Sequence, residues 1–98
     1  MKTIILDLTG CKSLWDIHER IRKAFDFPDW YGRNWSAFWD LLWSECDAEK
    51  VIIRGEKTLH PEYEKHLQTL HKILDRNIEF CKKYEKYDIA PFVYEIEN

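Results

Sequence analysis

The sequence predicts an α/β fold, a small three-stranded parallel sheet covered by helices. Three observations lead there. Three short apolar runs, Ile4–Leu8, Val51–Ile53 and Phe92–Ile96, are β-branched or aromatic and too brief for helices. Segments with the helical period separate them, before and after residue 50. Strands divided by helical stretches need crossover connections, which make a sheet parallel and lay helices on it.

Each element has its own justification. Lys2–Leu8 reads as the first strand, an interior one, ending at the Thr9-Gly10 break. Ser13 opens a helix, with Asp16 three residues on in the manner of a capping box, and Leu14, Ile17, His18, Ile21, Ala24 and Phe25 form its apolar stripe. The stripe predicts His18 as a packed or half-buried side chain rather than a ligand. Phe27 to Arg33 must be a loop, because Pro28 disfavours helix in its predecessor and Gly32 permits a tight reversal. Asn34 is suited to cap a second helix running to about Ser44. A short second strand, Val51–Ile53, is ended by Gly55. From His60-Pro61 a helical pattern runs through Tyr63, Leu67, Leu70, Ile73, Leu74, Ile78 and Cys81, with room for a break whose place the pattern does not give. Phe92–Ile96 is the third strand.

Ninety-eight residues suit one domain over 1–98 with a single core. Cys11, Cys46 and Cys81 are odd in number and lack close C-x-x-C spacing, which argues against a disulfide framework and against a metal site, and for reduced thiols in a cytoplasmic protein. The apolar start is too short for a secretory segment, and no window approaches the roughly 20 apolar residues of a membrane span. No cofactor motif is present.

The charge is unevenly placed. Of the net charge of −3, residues 26–49 hold −5, six acids against Arg33, leaving the rest of the chain at +2. Four of the five tryptophans lie in the same segment. A local acidic field disfavours direct nucleic-acid binding there and favours a cationic partner.

At 100° per residue the second helix has two apolar sides. Trp35, Phe38, Leu41 and Leu42 make the core stripe. Ser36, Trp39, Asp40 and Trp43 share the opposite side, with the loop residues Asp29, Trp30 and Tyr31 just before. Two readings fit: an exposed binding surface, roughly a few hundred Å² of indole around a carboxylate, or a stripe covered by a later helix with Asp40 at its rim. The acidity of the segment favours the binding surface.

The run Phe27-Pro28-Asp29-Trp30-Tyr31-Gly32-Arg33-Asn34-Trp35-Ser36-Ala37-Phe38-Trp39-Asp40-Leu41-Leu42 resembles the core motif of the barstar family, and the order of elements around it is similar over nearly the whole chain. The resemblance implies a protein inhibitor, not an enzyme, that occludes the active site of a small basic, extracellular-type ribonuclease and is monomeric when unbound. It implies that Trp30 stacks at the nuclease site, that Asp40 is the dominant acid, and that Gly32, Asn34 and Trp39 occupy their family positions. There are departures. Ser36 and Arg33 stand where barstar has acids, and Arg76 meets a further one, with Asp75 and Glu79 as neighbouring candidates. These departures point away from barnase itself and towards a differently charged ribonuclease, or an immunity role against another toxin nuclease. The stretch near Phe80 to Asp88 does not align.

Two other classes fit less well. An enzyme using His60, His66 or His71 with Glu62 and Glu64 would lack every familiar nucleophile or phosphate-loop motif. A nucleic-acid module on Lys82, Lys83, Lys86, Tyr84 and Tyr87 is interrupted by Glu85 and Asp88.

Overall fold

A computed structural model describes residues 2–45, 49–83 and 92–97; for 43–45 and 81–83 it describes the backbone alone. The side chains of Trp43, Cys46 and Cys81, the acids Glu45 and Asp47, and the lysine- and tyrosine-rich stretch 82–88 lie outside the described residues.

Strand β1 (Thr3–Asp7) leads to helix α1 (Leu14–Phe25), then α2 (Trp35–Glu45), strand β2 (Lys50–Arg54), two 3-10 turns (Glu56–Thr58 and Pro61–Tyr63), helix α3 (Glu64–Lys83) and strand β3 (Val93–Glu97). The sheet order is β1-β2-β3 and both pairings are parallel, with Val51 between Ile4 and Tyr94, and Ile53 between Leu6 and Ile96. This is the α/β fold the sequence predicts. β1 is nevertheless an edge strand, not the interior one its apolar run suggests. Only Ile4 and Leu6 of the strand turn inward, and Thr3, Ile5 and Asp7 are exposed on the outer face. A run of adjacent aliphatics cannot show whether both faces of a strand are covered.

The helices cover one face of the sheet. Leu6, Leu8, Val51 and Ile53 pack there with Ile17, Ile21 and Phe25 of α1, Phe38 and Leu42 of α2, and Leu70 and Leu74 of α3. On the outer face, cross-strand ion pairs Lys50–Glu95 (3.0 Å) and Arg54–Glu97 (3.1 Å) tie β2 to β3.

Local chemistry fixes the helix ends. Ser13 Oγ accepts from the Asp16 amide at 3.0 Å, while the Asp16 carboxylate reaches back to the Lys12 amide at 3.0 Å, so the capping residues pair as the sequence suggests. Asp26 ends α1 in the left-handed region at φ 56°. Asn34 Oδ1 caps α2, accepting from the Ala37 amide at 2.8 Å. Pro61 starts a 3-10 turn, after which α3 continues without a break for 20 residues.

Candidate functional site

The loop between α1 and α2 is held from beneath. Phe27 and Tyr31 are buried, Phe27 between Phe25 and Phe38 at ring separations of 5.4 and 6.2 Å. The Tyr31 hydroxyl hydrogen-bonds His18 Nδ1 at 2.7 Å and the Asn34 carbonyl at 3.4 Å. Burial pushes the Tyr31 phenol well above its ordinary pKa, so it stays protonated in this role. With Phe27 and Tyr31 turned inward, Trp30 stands on the outside of the loop and is 75% exposed.

A second brace comes from the side. The sequence places a tight reversal at Gly32, but the left-handed residue is Arg33, at φ 51°. Gly32 is instead closely approached, since a Cβ there would lie 3.1 Å from Asn34 Nδ2 and 3.4 Å from Ala37 Cβ. Arg33 donates to the Tyr31 carbonyl (2.7 Å), the Asp29 carbonyl (3.3 Å) and the Glu19 carboxylate (2.7 Å). That bond to Arg33 is the main reason the Glu19 carboxyl lies below its ordinary pKa. Arg22 completes the network with Glu19 at 3.2 Å and the exposed Asp29 carboxylate at 3.1 Å. Arg33, a candidate contact residue from the sequence, therefore directs its donors into its own loop, with its guanidinium 4.6 Å over the Trp15 ring.

Trp15 was missing from the sequence-based set although it is 59% exposed. Its signal was available: it falls off the apolar stripe of α1.

Alongside the loop, α2 and α3 border an open cleft of about 390 Å³, lined by Trp35, Ser36, Trp39 and Asp40 from α2 and Ile73 and Arg76 from α3. Ser36 and Asp40 are exposed, whereas Trp39 is half-buried, its ring edge-on to Phe80 at 6.4 Å. Each of the two readings of this stripe thus describes part of it. Trp35 is also only half-buried. It forms one wall of the cleft, donates from Nε1 to His66 Nδ1 at 3.3 Å, and lies 4.4 Å from the His18 ring.

The acids of α3 separate. Glu79 flanks a neighbouring hollow with Trp39, Arg76 and Phe80. Asp75 does not line the cleft with α2; its carboxylate accepts from the Tyr94 hydroxyl at 2.8 Å. Burial, reinforced by Asp75, pushes the Tyr94 phenol up to about 12. The histidines considered for catalysis are dispersed over different partners: His66 with Trp35, His71 with Glu56 at 2.6 Å, and His60 with the Glu62 amide at 3.2 Å. Among the described residues no group of three or more His, Cys, Asp or Glu side chains is placed to hold a metal.

What this surface offers is recognition. It presents an exposed indole on a doubly braced loop and, along the helix that follows the loop, a cleft of indole walls and a carboxylate. A family model described as Barstar (barnase inhibitor) matches residues 1–94. A Bacillus subtilis (strain 168) protein named "Putative ribonuclease inhibitor YrdF" is 34% identical over 53 residues. The match spans 54% of this chain and 58% of that protein, little more than half of each.

Proposed function

The chain belongs to the barstar family, and on that premise we propose that it inhibits a small basic ribonuclease of the barnase type by occluding its active site. The observation that carries this reading is the cleft between α2 and α3 that holds Trp39 and Asp40, on the helix that directly follows the braced loop bearing the exposed Trp30. Trp30 supplies a flat apolar face that a base-stacking site would accept, with less backbone freedom to lose because Arg33 holds the carbonyls of both Asp29 and Tyr31. Asp40 supplies an anionic oxygen pair that stands in for an RNA phosphate before the nuclease's arginines and lysines. Against the indole walls of the cleft that attraction acts in a lower dielectric than open water. The inhibitor breaks and forms no covalent bond; it competes by filling the site.

The test is titration of small basic ribonucleases that differ in active-site charge, barnase among them, on an RNA substrate with the purified chain and with Asp40→Ala. The expected result is one-to-one inhibition, weakened by roughly 2–5 kcal/mol in the variant, since truncation strands the partner's buried cations. Asp40 is exposed, so far-UV circular dichroism should not change. Association should slow as salt rises, because the acidic segment steers a cationic enzyme. Equal affinity of variant and wild type would remove the reading.

A further inference from the structure

Resting on that reading, we infer that Arg76 selects the partner: the cleft fits a ribonuclease surface that presents a carboxylate beside the cation that meets Asp40. The described residues contain five arginines, and four of them have internal work. Arg22, Arg33 and Arg54 are ion-paired, and Arg20 donates to the carbonyls of Asp7 and Thr9. Arg76 alone, among the described residues, makes no ion pair or hydrogen bond there. It is exposed, and it lines the same cleft as Asp40, Ser36 and Trp39.

Nearby acids do not answer it. Asp75 is engaged by the Tyr94 hydroxyl, and Glu79, one turn along α3, stands beside Arg76 around an adjoining hollow without pairing to it. A guanidinium carries five donors in a planar fork, suited to a carboxylate and unsuited to another cation. Opposite Arg76, a wholly cationic enzyme face would meet like charge while Asp40 attracts it close by. The side chain therefore rejects such enzymes and admits one whose surface alternates in sign. Asp40, on the opposite wall, makes the cleft a poor seat for the phosphates of RNA itself.

The experiment is a set of charge-swap cycles with barnase as the probe. Each cationic residue on the active-site face of barnase is changed in turn to Glu, and binding of every enzyme, active or not, is measured by titration calorimetry with the wild-type chain, Arg76→Glu and Asp40→Ala. At one position the Glu-bearing enzyme should bind the wild-type chain about tenfold more tightly than unmodified barnase does, and Arg76→Glu should reverse that preference. If Asp40→Ala weakens binding but no position shows the reversal, the inference about Arg76 falls and the inhibitor reading stands. If Asp40→Ala changes nothing, both fall. Binding of a labelled single-stranded RNA to the chain alone, lost in Arg76→Glu, would assign the guanidinium to phosphate and likewise overturn the inference.

Discussion

Lowering the pH from 7.5 to 4.5 should remove about 2–3 kcal/mol of folding stability through one side chain, His18. Its ring is fully buried, bonded at Nδ1 to Tyr31 and packed against Trp35, while Nε2 meets no partner among the described residues. Burial, and secondarily the charges of His66 and Arg33, lowers its pKa from 6.5 to about 4. The folded state therefore holds the neutral imidazole, whereas the unfolded chain binds a proton below about pH 6.5. Stability from this group is fully present above pH 6.5 and is lost as the pH falls towards 4, at up to about 1.36 kcal/mol per pH unit. Integrated over the stated interval, that gives the figure above. The assay is urea denaturation at half-unit pH steps, followed by tryptophan fluorescence, on the wild type and His18→Leu. The carboxyls of Asp7 and Glu19, also held below their ordinary pKa, lose their contribution only at lower pH, and both proteins retain them. The difference between the two curves isolates the histidine. Parallel curves would refute the argument.

Three further substitutions follow from the same geometry. Trp30→Ala should leave unfolding within about 0.5 kcal/mol of wild type, as exposed positions do, and weaken barnase inhibition by about 2 kcal/mol or more; a stability loss with intact inhibition would contradict its role. Arg33→Ala should cost about 1–3 kcal/mol in denaturant unfolding, because it leaves two loop carbonyls without their donor and the Glu19 carboxylate with Arg22 as its remaining partner among the described residues, and limited proteolysis should then cut between residues 28 and 34. Gly55→Ala should destabilise by about 2 kcal/mol or more by the same measurement, since Gly55 sits at φ 81° and a Cβ there would run into the backbone of Thr9.

Sequence logic carried furthest where a few neighbouring residues settle the outcome. Ser13 with Asp16 and Asn34 with Ala37 place the starts of α1 and α2 because the capping bonds span only three residues. The helical period likewise put His18 on the buried side of α1 and Ser36 and Asp40 on the exposed side of α2. Periodicity was blind to neighbours. It could not tell that β1 lies at an edge, that Trp35, packed against the core, would also wall the cleft, or that Arg33 would serve its own loop.

By itself, then, the sequence determined the fold class and the element order, together with the segment in which indoles and acids gather, all of which depend on spacing along the chain, while the family rested on the resemblance of its Phe27–Leu42 motif. Only the tertiary structure decided that Arg76, 36 positions from Asp40 in the chain, shares its cleft, and that Asp75 is drawn off to Tyr94. A side chain's partners depend on which helices pack together and at what rotation. Local sequence fixes a helix's face, and packing alone chooses what that face meets.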